Sequence, residues 1–494
     1  MNDMALGRQP QARARTYAAW ALLVASPFLL LLCISLAIGK NALAGLPVWT
    51  DELDYWRAVY SWLHVGPAAG YSGIAELHAP LGALSVHGLS PILLYALPAA
   101  VFGWSLHSIT LINALWVSAG ALAFCLLARP RAAVALGVGA VFMLYAPVVL
   151  YAATSMTELA NYGLLLFYMA FVGWLLRARG QAAEAAGQKP RAWAGWPALL
   201  LGALVTLLLC AYRITYIGLW IPLLLAACDM RPSGRMAAYG ALALLMSAGA
   251  YVLTAMYTSP FASGFLYNFL RTGSLSLSVQ MFLSHAKANL LDYFVRAPGN
   301  PMETLQRALY CTVAGLALAG CALRVEHAGG RLRLRFSFSG FSLLMFLTLF
   351  LPFAIVICFY ETNDWSDYRT LAPFLWLVAA AYIARGRRFV PAVFAVGSAA
   401  ILAVLLTLPP VGMYGDTGRF AAPTLTAEGK ALCEAVPYDP AARDPYQNAV
   451  RTDLFTLETV TALHPGLGLQ TGWFTPESIG KSRWILTDFL KTPL

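Results

Sequence analysis

The chain has 494 residues, of which 60% are hydrophobic and 11% charged, and it carries a net charge of +10 at pH 7. That composition is too apolar for soluble domains, and it excludes soluble enzymes, disordered chains and collagen-like repeats. Apolar runs of bilayer-spanning length recur along the chain, and the unbroken run Ala198 to Leu209 excludes the alternating strands of an outer-membrane barrel. The predicted fold class is therefore an all-α polytopic membrane protein, because helices satisfy every backbone group within hydrocarbon.

Arg8, Arg13 and Arg15 precede the first apolar run, about residues 17–38, which places the amino terminus in the cytoplasm. Ala42-Leu43-Ala44 mimics a signal-peptide cleavage site, but the run exceeds the roughly 7 to 15 residues of a signal core and reads as a retained helix. The loop that follows, about 40–105, is long, aromatic and acidic. A surface helix is predicted from Thr50 or Asp51, where Leu53, Trp56, Tyr60 and Leu63 recur at helical spacing. Ser90-Pro91 opens a second short piece that runs to Phe102, the length of an interfacial or re-entrant helix.

Ten further spans follow at about 107–128, 132–153, 159–177, 194–211, 214–230, 236–257, 304–323, 337–360, 370–384 and 389–411, for about 11 transmembrane helices in all. Charge tests the layout. The connections assigned to the cytoplasm hold fifteen basic residues, among them Arg129, Arg131, Arg324, Arg331, Arg333, Arg335 and Arg385, against eight in the outer connections. This is the positive-inside signature, so the charge implies no nucleic acid partner. Nineteen of the twenty-three acidic residues fall outside, a bias that topology does not require. Residues 1–411 form the transmembrane domain, and residues 412–494 lie outside as a small α/β segment with a helix over Glu428 to Val436 and a strand at Trp484-Ile485-Leu486. Seven cysteines lie in or at the ends of apolar runs and Cys433 stands alone, so no metal or redox pair is formed.

Three polar clusters face the outer side. Trp49-Thr50-Asp51-Glu52-Leu53-Asp54 places three carboxylates at the start of the surface helix, where a helix amino terminus accounts for one or two of them. Thr154-Ser155-Met156-Thr157-Glu158 puts an acid at the membrane boundary, either solvated or facing a cavity. Tyr360 to Arg369 ends in Asp367-Tyr368-Arg369 and then enters the tenth span through Thr370-Leu371-Ala372-Pro373; Arg213, at the outer end of the fifth span, shares its two readings, interfacial anchor or ligand.

The acidic pair Asp51-Glu52 after the first helix and Glu158 after the third open a longer pattern. It continues with His78-Ala79-Pro80-Leu81-Gly82 before the short helix ending Phe102-Gly103, and with Asp367-Tyr368-Arg369 ahead of Pro373. In this order and sidedness the chain resembles the GT-C glycosyltransferases, nearest the protein-mannosyltransferase and lipid A aminoarabinose-transferase type. It departs from that pattern in Ala79-Pro80, where the family often has Pro-Pro, and in Tyr368-Arg369, where it commonly has Arg-Tyr.

The resemblance implies a GT-C-like fold with periplasmic juxtamembrane helices. It also implies a glycosyltransferase that moves a sugar from a polyprenyl-phosphate donor to an acceptor hydroxyl on a glycan, lipid or protein, with inversion. It assigns Asp51 as general base, with Glu52 and Glu158 beside it as catalytic residues. Arg369 and Arg213 are implied to bind the donor phosphate, and His78, His87, Tyr368 and Asp367 to line the substrate site. A divalent cation (Mg²⁺, Ca²⁺ or Mn²⁺) fits the hard carboxylate oxygens, although nothing requires one. Gly137-Val138-Gly139 lacks the third glycine of a nucleotide fingerprint, in keeping with a lipid-carried donor. The expected location is a bacterial inner membrane with a cytoplasmic amino terminus and a periplasmic carboxyl terminus. The alternatives are a polysaccharide polymerase or ligase, and a transporter or flippase of lipid-linked glycans, whose charges would lie near mid-span.

Overall fold

A computed structural model describes residues 10–45, 47, 50–64, 87–105, 107–184, 195–228, 234–257, 273–295, 323–328, 331–336, 340–359, 368–385, 395–397, 399–400, 449–452 and 483–486. The spans expected over about 304–323 and 389–411 lie almost wholly outside the described residues, as do His78, Asp367 and the helix expected over Glu428 to Val436.

The helices are α1 (Pro10–Ile38), α2 (Thr50–His64), α3 (Ser90–Phe102), α4 (Ser108–Ala128), α5 (Ala132–Leu144), α6 (Ala146–Tyr151), α7 (Glu158–Glu184), α8 (Trp196–Tyr212), α9 (Trp220–Ala227), α10 (Gly234–Tyr257), α11 (Leu275–Phe294), α12 (Gly340–Phe359) and α13 (Tyr368–Ala384). Among the described residues five stretches are long and apolar enough to cross a bilayer: Ala12–Ile38, Ser108–Ala128, Glu158–Arg179, Gly234–Thr254 and Gly340–Phe359. This is a helical membrane protein. Large apolar side chains such as Leu200 on α8 and Leu245 on α10 are exposed, as lipid-facing surfaces require. The five described cysteines are free thiols.

Two expected spans are broken. The run expected over about 132–153 is interrupted at Tyr145, whose extended backbone (ψ 115°) separates α5 from α6. Pro147 lies in the first turn of α6 and has no N–H to continue the ladder of α5, so the helix must restart there. The run expected over about 214–230 divides into a 3₁₀ turn, Ile214–Leu219, and the eight-residue α9. Both short surface helices form where they are expected and α3 ends at Phe102 as its apolar run predicts, but the residues expected as caps, Thr50 of α2 and Ser90 of α3, lie inside the helices. Ser90 is already helical, and its hydroxyl makes no cap but donates to the Tyr212 carbonyl at 2.6 Å, tying α3 to the end of α8.

The core is organised by α4 and α7, which approach so closely that a Cβ on Gly120 would stand 2.1 Å from the Gly163 carbonyl oxygen. Small residues at a crossing let two helix backbones meet, a device of membrane interfaces. Phe142 of α5, Tyr162 of α7 and Trp376 of α13 form a buried edge-to-face triangle, with ring centroids 5.7 to 6.0 Å apart. α13 is thereby held against α7, and the Tyr145 hydroxyl donates to the Ala372 carbonyl at 3.2 Å.

Strands β1 (Leu323–Ala328) and β2 (Arg331–Phe336) pair antiparallel, with Leu323 opposite Phe336 and Ala328 opposite Arg331. The sequence reading treats this stretch as the end of a span and a basic connection; Arg-Leu-Arg-Leu-Arg-Phe at 331–336 has the period-two pattern of a strand. β3 (Ala449–Thr452) and β4 (Arg483–Leu486) also pair antiparallel, and β4 contains the expected Trp484-Ile485-Leu486 strand.

Candidate functional site

The polar clusters that are far apart in sequence meet at one end of the bundle. Helix α2 is fixed first: buried Trp56 donates through its indole to the Ser105 carbonyl at 2.9 Å, and Trp104 donates back to the Trp56 carbonyl at 3.1 Å. The two indoles stack 6.2 Å apart. These contacts lock α2 against the chain between α3 and α4 and set the direction of its first turn.

From that turn Asp51 and Glu52 diverge. Glu52 is fully buried, and its Oε1 accepts the Ser155 backbone N–H at 2.7 Å. It therefore ties α2 to the segment between α6 and α7. Thr110 and Asn113 of α4 hold the same segment, donating to the carbonyls of Thr154 (3.2 Å) and Met156 (2.7 Å). Asn113 is in turn fixed by the Tyr95 hydroxyl at 2.7 Å. The segment presents Glu158 at the first turn of α7.

Asp51 faces the other way, toward two cationic groups. Its Oδ1 lies 3.5 Å from His87 Nε2 and its Oδ2 lies 3.4 Å from Arg369 Nη2. The same guanidinium reaches Glu158, with Nε 3.7 Å from Oε1. Glu158 Oε1 also takes Arg213 Nη2 at 3.2 Å, and that nitrogen donates to the Thr157 hydroxyl at 2.8 Å. The result is an alternating chain, His87–Asp51–Arg369–Glu158–Arg213, supplied by α2, the turn before α3, the start of α7, the end of α8 and the start of α13. Arg369 is the most exposed member, at 27%, whereas Glu158 is only 3% exposed.

The electrostatics follow from this order. Burial pushes the Asp51 carboxyl up, but hydrogen bonding and charge from His87, with charge and hydrogen bonding from Arg369, outweigh it and hold the group well below the usual carboxylate range. Tyr55, one helical turn after Asp51 and 4.5 Å from the His87 ring, is pushed up by burial and by the charges of Asp51 and Glu158, and stays a neutral phenol. Glu158 keeps one oxygen in reserve: Oε2 is buried and has no hydrogen-bond partner among the described residues. A buried carboxylate oxygen left without a donor is costly, and it marks a place for a ligand hydroxyl or ammonium.

Of the residues named from sequence, Asp51, Glu158, Arg213, Arg369 and His87 are brought together. Glu52 is directed at backbone, His78 and Asp367 lie outside the described residues, and Tyr368 opens α13. Tyr55 and Thr157 belong to the site and were not singled out; spacing of four from Asp51 on a helix is the signal for the first. Among the described residues no group of three or more His, Cys, Asp or Glu side chains gathers as a cation site. A divalent ion on Asp51 would have to displace the Arg369 guanidinium. No protein-family model matches the chain, and neither a curated protein nor a solved structure matches it.

Proposed function

We propose that the protein is a GT-C-type glycosyltransferase that moves a sugar from a polyprenyl-phosphate donor to an acceptor hydroxyl at the outer face of a bacterial inner membrane. The observation that carries this reading is the shared Arg369: one partly exposed guanidinium lies between the proposed base, Asp51, and a second carboxylate, Glu158. A lipid-borne phosphate arriving at the end of the bundle meets a cation it can take.

In the free protein Asp51 is a poor base, because His87 and Arg369 stabilise its anion. A donor phosphate that engages Arg369 draws that cation from Asp51 and raises the carboxylate's basicity when substrate is present. The acceptor O–H proton passes to Asp51, the acceptor oxygen bonds to the anomeric carbon from the face opposite the phosphate, and the bond from that carbon to the phosphate oxygen breaks. The electron pair leaves on polyprenyl phosphate, whose charge Arg369 stabilises electrostatically. Arg213, anchored by Thr157 and Glu158, holds Glu158 in place, and Glu158 Oε2 supplies the acceptor that a sugar hydroxyl requires. One displacement with one base inverts the anomeric centre.

The test is turnover of a panel of polyprenyl-phosphate sugars by purified protein in lipid nanodiscs, with products read by mass spectrometry. Asp51→Asn should abolish transfer while the chain remains folded, and unchanged turnover rejects the assignment. Donor binding without any transfer by the unaltered protein would instead favour movement of lipid-linked glycans.

A further inference from the structure

We propose that the β1–β2 hairpin is a docking surface for an anionic lipid leaflet, at the end of α12 opposite the candidate site. The register carries the inference. Residues directly opposite in an antiparallel pair share a face, and the pairs Arg324 with Arg335, Glu326 with Arg333 and Ala328 with Arg331 set four arginines and one glutamate at the positions of one face. The pairs Leu323 with Phe336, Val325 with Leu334 and His327 with Leu332 make the other face almost wholly apolar. Each strand has six residues, so the ladder is about 20 Å long.

Two further facts choose the occupant. Among the described residues this sheet has two strands, and a two-stranded sheet with an apolar face is marginal in water and needs a cover. β2 ends at Phe336 and the apolar span α12 begins at Gly340, so four peptide steps, at most about 14 Å, tether the hairpin to the membrane surface. The twenty residues of α12 put this end about 30 Å from the end that leads toward α13 and Arg369. At that depth an apolar face can enter the acyl boundary while a face with a net charge of +3 meets headgroup phosphates. Amphipathic surface helices partition by the same balance of apolar burial and attraction to anionic lipid. The outer edges of the strands, which pair with no other strand among the described residues, are tolerated there because the interface, unlike the hydrocarbon core, supplies water and polar headgroups.

The test is limited trypsin digestion of the full chain in nanodiscs of zwitterionic phosphatidylcholine and of phosphatidylglycerol. Cleavage after Arg331, Arg333 and Arg335 is normalised to cleavage after Arg191, which precedes Ala192, in the same sample. Attraction to an anionic surface is worth about fivefold per basic charge, so for a face of net charge +3 cleavage in phosphatidylglycerol should be slower by on the order of 100-fold. High salt should remove most of the difference. Leu332→Asp/Leu334→Asp keeps every arginine and, with the same variant compared between the two lipids, should abolish the protection. Equal rates in the two lipids, or protection that survives the aspartate pair, would overturn the proposal and assign the cover to protein. None of these readouts depends on sugar transfer.

Discussion

Replacing Arg369 with Gln removes the cation from Asp51 while leaving His87 in place. At 3.4 Å, Asp51 and Arg369 attract by about 1 kcal/mol if screened as in water and by about 5 kcal/mol at an effective dielectric constant near 20. Each pH unit corresponds to about 1.4 kcal/mol, so the lower bound alone lifts the Asp51 pKa by roughly one unit, and burial, which already pushes it up, adds to the rise. The pH profile of kcat/KM reports groups in the free enzyme. Unaltered protein should therefore show no acid limb down to the lowest pH at which it stays folded, whereas Arg369→Gln should show one displaced upward by at least about one unit. Loss of leaving-group stabilisation should lower kcat by about 10² to 10³. Arg369→Lys should restore much of the pH profile and less of the rate, because an ammonium supplies charge without the fork that reaches both carboxylates. If Arg369→Gln leaves the acid limb where it was and kcat within tenfold, neither the base assignment nor the phosphate exchange stands.

Other consequences can be measured without knowing the sugar. Glu52→Ala deprives the Ser155 N–H of its carboxylate and should cost roughly 1.5–3 kcal/mol in unfolding free energy, with Glu52→Gln losing clearly less; equal losses would deny the tether. Gly163→Ala sets a Cβ 2.2 Å from the Trp116 carbonyl oxygen and must separate α4 from α7, at a cost of about 1–3 kcal/mol, seen as a lowered Tm. Because the Asp51 pKa is depressed in the folded chain, its stabilisation is complete above the unfolded value near 4 and is lost as pH falls toward the folded one. The stability difference between the unaltered protein and Asp51→Asn should thus be flat above about pH 5 and shrink below about pH 4. A difference that grew on acidification would reverse the sign of the argument.

The amino-acid sequence determines the class of this protein, because span length and apolarity are set by the bilayer and need no tertiary information. It also determines α2 and α3, whose starts and lengths are local matters of helical spacing and proline placement, and it marks Asp51, Glu158, Arg213 and Arg369 as polar residues at apolar boundaries. The β1–β2 alternation is equally local and legible at 331–336, although the arginines there also serve as markers of membrane side. Tertiary structure alone decides which neighbours share work. Asp51 and Glu52 are adjacent, yet 100° of helical rotation sends one to His87 and Arg369 and the other into a buried backbone contact with Ser155. Arg369 meets Asp51 across 318 positions of sequence because α13 is packed against α7 and α5. Such pairing is a property of packing, which no local spacing rule encodes.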